Sequence, residues 1–336
     1  LSFQSLSLSL TERCTARCAG CCMWASPQGS VFGGGDMPLG MALSCIDQLK
    51  KIPTIGKIGL TGGEPFLLYP EVLEICRHAS CKGLIVSCIT NGYWARSEEE
   101  TLAKMRELRA AGLATLYVST DTFHQAFVPV ESVRRILRAG RRVGLFVGVY
   151  MDVTRQSMRL PDLFEALKEE MVESAIFESP LFPVGRAQET LDAEDFFTRP
   201  GIPAEPCLRM NDLFVVPSGD VYPCCSAAGM QPPLRLGNVH ETPLAQIAAR
   251  LQRSFFHRLL AQRGPGWFAQ ALIERELIPS LQPAYVHACH LCYDLFSRPE
   301  WAAAVATLVE EEEIRRARRL LEAALLSQTE ATHAAE

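Results

Sequence analysis

Cys14-Thr15-Ala16-Arg17-Cys18-Ala19-Gly20-Cys21 is the stretch that decides the reading of this 336-residue chain. The triad sits just past Ser5 to Leu10, whose alternation of Ser and Leu reads as a short strand. Soft thiolates select zinc or iron–sulfur clusters, and a four-iron cluster ordinarily takes four of them. Three thiolates therefore read as a cluster whose fourth iron is left to another ligand. Zinc with a water or His in fourth place, and plain packing of buried thiols, are the competing readings. Further along, Gly62-Gly63-Glu64-Pro65 follows the strand-like run Lys57 to Thr61. The glycines let backbone approach a ligand closely, and Glu64 offers an acceptor for an ammonium group.

With both stretches in view, the sequence resembles the radical S-adenosylmethionine (radical SAM) enzymes. The resemblance implies that Cys14, Cys18 and Cys21 hold a [4Fe-4S] cluster whose open iron is chelated by the methionyl amine and carboxylate of SAM. It implies that Gly62, Gly63 and Glu64 hold the methionyl amine. One electron then cleaves the cofactor to a 5′-deoxyadenosyl radical, which abstracts a substrate hydrogen. Members of the family usually carry an aromatic residue just before the last cysteine of the triad. Here that position is Gly20, and Trp24 is the candidate to replace it.

Composition bounds the alternatives. The chain is long enough for one large domain and a smaller one, and 48% of its residues are hydrophobic, enough for a real core. The net charge is −5 with no long basic block, which argues against nucleic-acid binding as the main job. No run of eighteen apolar residues and no export signal is present, so neither a membrane span nor secretion is expected, and the expected location is cytoplasmic. Thirteen cysteines without an export signal fit metal ligation better than a disulfide framework. Cys45, Cys76, Cys81 and Cys88 read as packing residues.

Strand-like and helix-like segments alternate over the first half of the chain. Ser5 to Leu10, Ile58 to Thr61, Gly83 to Thr90, Ala114 to Thr120, Arg142 to Met151 and Ala175 to Glu178 are the expected strands. Ser97 to Ala111, Pro129 to Ala139 and Pro161 to Val172 are expected helices, the first opened by a capping box of Ser97 and Glu100. Repeated strand–helix units point to an α/β fold with a parallel sheet, and such folds place their chemistry at the C-terminal strand ends. By resemblance this is a partial (β/α)6 TIM-like barrel over residues 1–190. Asn91 would follow strand three, while Ser119 and Asp121 end strand four. Relatives touch the SAM ribose or carboxylate from there, although Asn-Gly turns and Asp helix caps are equally ordinary. His124 reads as a loop histidine. Glu178 ends strand six and would either meet substrate or pair with an arginine such as Arg186. Arg186 itself, in a segment resembling one common after the sixth strand of relatives, would lie near the SAM carboxylate, the substrate or plain surface. Gly33-Gly34-Gly35 lacks dinucleotide-binding spacing and reads as a loop.

Residues 191–206 read as a connector. Beyond it come Cys207, Cys224, Cys289 and Cys292, with Pro217-Ser218-Gly219-Asp220 a hairpin turn that would bring Cys207 and Cys224 together. Four thiolates with a C-x-x-C half suit a zinc ribbon. The spacing Cys207-x11-Gly219-x4-Cys224 resembles the opening of SPASM or twitch extensions, and this implies an auxiliary [4Fe-4S] cluster in a small C-terminal domain, 207–298. A terminal helix and tail, 299–336, would pack on that domain or the barrel. Cys22 and Cys225 each adjoin an expected ligand and remain free thiols. Cys225 is either a packing residue or a hydrogen-atom donor to a substrate radical.

The resemblance implies a SAM-cleaving enzyme in peptide or natural-product maturation, with oxidation or crosslinking of a ribosomal peptide as the first expectation. A small-molecule dehydrogenase or epimerase acting on a sugar, aminocyclitol or nucleoside is the alternative, because the chain opens almost directly on strand one and leaves no room for a leader-peptide recognition domain. That function would come from a separate protein, and electrons from a flavodoxin- or ferredoxin-type reductant. A non-catalytic iron–sulfur or zinc-binding protein would have no use for Gly62 to Glu64 at a strand end.

Overall fold

The computed structural model describes residues 3–31, 33, 35–207 and 209–333, with side chains up to residue 323. The Gly34 part of the triglycine loop lies outside the described residues. Strands β1 (Ser5–Ser9), β2 (Lys57–Thr61), β3 (Ile85–Thr90), β4 (Leu113–Ser119), β5 (Phe146–Val153) and β6 (Ala175–Pro180) form a run of parallel neighbours in chain order. Between and beside them come α1 (Leu39–Asp47), α2 (Tyr69–Ser80), α3 (Glu98–Ala110), α4 (Thr122–Gln125), α5 (Val130–Val143) and α6 (Leu160–Leu167). The remainder holds α7 (Arg186–Thr190), β7 (Arg199–Pro200), β8 (Asp212–Val215), β9 (Asp220–Tyr222), β10 (Gly237–Asn238), α8 (Leu244–Arg253), α9 (Phe255–Glu274), β11 (Ala284–Tyr285), α10 (Ala288–Phe296) and α11 (Pro299–His333).

Alternation sets the two faces of the sheet. Leu6 and Leu8 of β1, Ile58 and Leu60 of β2, Val86 and Cys88 of β3, and Leu116 and Val118 of β4 are fully buried in one cluster with Ala42, Ile46, Val72, Ile75, Met105 and Ile136 from the surrounding helices. The intervening residues, among them Ser7, Ser87, Tyr117 and Tyr150, face the barrel interior. Because that face is polar and aromatic, it stays available for ligands instead of filling with a second aliphatic core. Two helix boundaries differ from the sequence reading. α5 continues through Arg142 to Val143 and ends on left-handed Gly144, so β5 starts later than the apolar run suggested. At α3 only half of the capping box forms, with Ser97 Oγ accepting from the Glu100 amide.

The larger correction concerns the second domain. The hairpin of β8 and β9 forms as expected, yet β8 pairs parallel with β1, in register Ser5 to Asp212. One nine-stranded sheet, ordered β10-β9-β8-β1-β2-β3-β4-β5-β6, therefore runs across the expected boundary. β8 is short and apolar, and β1 had an unused edge to offer it. A separate core does exist where α9, α10 and the start of α11 pack Phe268, Leu272, Leu291, Phe296, Trp301 and Leu308. α11 then runs to His333, past Ser327, where the sequence suggested fraying. Cys45, Cys76 and Cys88 are buried as expected of packing residues, whereas Cys81 is exposed at the end of α2. No helix among the described residues is long and apolar enough to cross a membrane.

Leu8 carries the wall between sheet and helices, with 0% exposure. Leu8→Ala is expected to cost about 2–5 kcal/mol in chemical denaturation. Phe164→Ala, at a side chain 46% exposed, should change stability by about 0.5 kcal/mol or less. Equal losses at the two positions would contradict this placement of the core.

Candidate active site

The cysteine loop is anchored by backbone contact. Gly63 N–H donates to Thr11 O at 2.6 Å, and Glu64 N–H to Arg13 O at 2.8 Å, so the end of β2 lies against the start of the loop. A Cβ on Gly62 would stand 2.4 Å from Thr11 O, and one on Gly63 would stand 2.2 Å from Arg13 O. The glycine pair is thus required by the approach of two backbones within the protein, whatever it does for a ligand. Glu64 is completely buried. Its carboxylate accepts from the Phe66 amide at 3.0 Å, the Thr90 hydroxyl at 2.7 Å and the Asn91 amide at 2.7 Å. Burial nonetheless pushes its pKa up to about 7, against the pull of those donors. Glu64 therefore joins the ends of β2 and β3, with lone-pair capacity left on Oε2 for one further donor.

A cavity of about 160 Å³ opens at these strand ends, bordered by Cys14, Cys18, Cys21, Gly62, Gly63, Asn91, Ser119, Phe123, His124 and Asp152. Burial raises Cys14 to about 11 and Cys18 to about 12, so metal uptake must displace protons there. Asn91 Nδ2 lies 3.6 Å from Cys14 Sγ and donates to Thr15 Oγ1 at 3.0 Å, which sets the first cysteine of the loop.

Several expected residues have other work. Asp121 is buried and spends its carboxylate on the amides of Phe123, His124 and Asp152 and on His124 Nδ1 at 2.8 Å. Burial opposes its charge, but His124 and these amides outweigh the penalty and lower its pKa, while Asp121 raises that of His124 against the cost of burial. His124, read from sequence as a loop residue, is thereby turned onto the cavity wall. Asp152 was missed. It ends β5 on the same face as Tyr150, and burial followed by the nearby Asp121 raises it to about 7. Period-two counting along β5 from Tyr150 was the signal that could have found it.

Arg186 does not border this cavity. It is buried and donates to Cys18 O at 2.9 Å, Trp24 O at 2.7 Å and Ala25 O at 2.8 Å, bracing the cysteine loop from behind. Trp24 donates to Glu189 and lines a neighbouring surface groove, away from the thiols. The aromatic ring at the cavity is Phe123 instead. A Cβ on Gly20 would come within 3.1 Å of that ring and 2.7 Å of Leu181, so glycine there leaves the room that Phe123 fills.

Cys207, Cys224, Cys289 and Cys292 border a second cavity of about 820 Å³ together with Tyr150, Phe177, Glu178, Arg209 and His287. Glu178 borders this cavity and also pairs with an arginine, Arg159 at 2.6 Å where Arg186 was the example expected. The thiols surround open space at both sites, and among the described residues no three His, Cys, Asp or Glu groups close on a single-ion point. All-sulfur donors framing a volume suit a cluster better than one tetrahedral ion. Cys225 is exposed, with Asp212 and Arg209 beside it, and its charge is felt by Cys22, which borders the first cavity, and by Tyr150, which borders the second. Ser5, Ser7 and Cys225 surround the buried Asp212, whose Oδ1 finds no close donor among the described residues.

A sheet whose first six strands are parallel, with a three-cysteine loop after β1 and four further cysteines around the β8–β9 hairpin and on α10, suits an iron–sulfur protein with its chemistry at the strand ends. Comparison with known proteins makes that specific. Residues 8–170 match the radical SAM superfamily, and residues 207–271 match SPASM, an iron–sulfur cluster-binding domain. The chain belongs to the radical SAM superfamily and carries a SPASM extension. The two domains imply S-adenosylmethionine and two [4Fe-4S] clusters. The chain is 25% identical over 302 residues, 88% of its length and 93% of the relative's, to the putative peptide biosynthesis protein YydG of Bacillus subtilis. Its fold is similar to that of anSMEcpe with bound AdoMet, at 14% identity and TM-score 0.52, covering 91% of this chain and 100% of that one. It is also similar to BtrN in complex with AdoMet and 2-DOIA, at 17% identity and TM-score 0.51, covering 80% and 90%.

Removing the Arg186 brace tests its role. Each charged hydrogen bond is worth about 1.5–3 kcal/mol, so Arg186→Ala should speed limited trypsin cleavage after Arg17 by about tenfold or more. Cleavage at the native rate would show that the loop does not depend on Arg186.

Proposed function

We propose that this chain modifies a peptide by SAM-dependent radical chemistry and that the reaction is a redox-neutral epimerisation, with Cys225 returning the hydrogen atom. The observation that carries the reading is Cys225, an exposed thiol whose charge is felt by Cys22 on the first cavity and by Tyr150 on the second. The peptide follows from the similarity to YydG, which spans most of both chains. On this reading Cys14, Cys18 and Cys21 hold the SAM-binding cluster, with Gly62, Gly63, Asn91 and Ser119 on the SAM cavity. Cys207, Cys224, Cys289 and Cys292 hold the auxiliary cluster.

A cluster on Cys14, Cys18 and Cys21, with SAM in the cavity beside Gly62 and Gly63, would supply the abstraction of a hydrogen atom from the peptide. The protein's part is to hold the peptide carbon within reach of SAM on one face and of Cys225 on the other. The Cys225 S–H bond breaks as the new C–H bond forms, leaving a sulfur radical. One electron from an external flavodoxin- or ferredoxin-type reductant and one proton from water restore the thiol. Asp212, buried beside the thiol and with Oδ1 left without a donor among the described residues, is the neighbour placed to orient it. Oxidation is the second reading, favoured by the nearness of the auxiliary cysteines to Phe177 and Glu178 in one cavity. In that case the substrate loses an electron and no thiol donor is needed.

Anaerobically reconstituted protein should contain about eight irons and eight sulfides per chain. Changing Cys14, Cys18 and Cys21 together to Ala should leave about half and abolish 5′-deoxyadenosine formation from SAM and a strong reductant. Zinc at the second site would contradict the assignment.

The reaction itself is tested with synthetic peptides incubated anaerobically with the reconstituted protein, SAM and a reductant. Epimerisation predicts unchanged product mass in H2O, one solvent deuterium in D2O, and loss of product but not of 5′-deoxyadenosine on Cys225→Ala. A product lighter by two hydrogens and indifferent to Cys225→Ala would establish oxidation instead.

A further inference from the structure

α11 packs Trp301, Val305 and Leu308 onto the body and then leaves it, every described residue from Glu313 to Ala323 being exposed. A second stripe, Ala303, Thr307, Glu310, Ile314, Ala317 and Leu321, follows the alternating four-and-three spacing of a coiled-coil seam, and all six are exposed. Ile314 is 57% and Leu321 66% exposed. A helix without packing along an apolar stripe is marginal in water, since most helical stability in proteins comes from such packing.

Charge says what covers the stripe. Glu310 to Glu313 precede Ile314, and Arg315, Arg316, Arg318 and Arg319 follow it. Intrahelical pairing accounts for part of this pattern, since Arg315 bonds Glu312 at 2.9 Å, and Glu311 is taken by Arg275 at the end of α9. Those pairs leave Ile314 and Leu321 uncovered. A second helix of the same sequence laid parallel would set Glu on Glu and Arg on Arg, which is destabilising. Laid antiparallel about Ile314, it sets each Glu block on the other's Arg block. It also places the large Leu321 over the partner's Thr307, so that bulk meets a small residue along the seam.

We propose that this stripe of α11 pairs antiparallel with the same stripe of a second copy of the chain, centred on Ile314. The surface is remote from both cysteine cavities, so the pairing stands or falls independently of the reaction. Arg318 then faces the partner's Glu310.

Sedimentation of the intact chain tests this. The wild type should be a dimer at micromolar concentration, and Ile314→Glu should weaken it at least about tenfold, since a buried unpaired charge costs more than the 1.4 kcal/mol that a factor of ten represents. Glu310→Lys sets an ammonium against the partner's Arg318, and Arg318→Glu sets a carboxylate against the partner's Glu310. Each variant alone should be monomeric, and an equimolar mixture of the two should form the heterodimer. A monomeric wild type overturns the proposal. So does a dimer that survives Ile314→Glu, or two monomeric variants that fail to pair when mixed while retaining wild-type iron content.

Discussion

Everything at the active site depends on how closely the cysteine loop can lie against the end of β2. Thr11 O and Arg13 O accept from Gly63 and Glu64, and no side chain at 62 or 63 would leave room for those bonds. The contact converts a flexible loop into an extension of the sheet, because it continues the β1–β2 ladder past its last strand pair. Glu64 extends the same constraint sideways to Thr90 and Asn91, and Asn91 passes it back to Thr15. Arg186 closes the arrangement from the far side through three carbonyls. The thiols are thus placed by backbone and buried polar contacts, whose satisfied donors and acceptors specify one geometry.

This arrangement divides buried polar residues into those that build and those that face ligand. Glu64, Asp121 and Arg186 each have several partners inside the protein, so their charges are consumed in holding loops. Asp152 and His124 stand next to them and open on the cavity. Asp121 orients His124 and the Asp152 amide together, which makes it a support for both. In the second cavity Glu178, Arg209 and His287 all border the open space, and Arg159 neutralises Glu178.

The sheet joins the two metal regions. β8 pairs with β1, so the hairpin that leads to Cys224 and Cys225 starts directly beside the strand that leads into Cys14. The distance between the two cysteine sets is consequently fixed by strand pairing, which tolerates no one-residue slip without exchanging the faces of the sheet. Cys225 stands beside Cys22 and Asp212 for this reason, although more than two hundred residues of chain separate it from the triad.

Local chemistry was legible in the sequence. The thiolate triad, the glycine pair, the strand–helix alternation and the second cysteine set all follow from residue type at short spacing, where backbone geometry leaves few choices. Long-range roles were not. Whether Asp121 or Asp152 reaches the cavity is decided by which carboxylate the α4 amides capture first, and that requires β4 and β5 to be in register. Phe123, and not Trp24, borders the cavity, and Gly20 leaves room for it and for Leu181, a contact made only in the folded chain. The sequence alone determined which atoms are available for iron and for SAM. Only the tertiary structure decided which polar groups are left over after the fold has satisfied its own hydrogen bonds, because that remainder depends on partners far away along the chain.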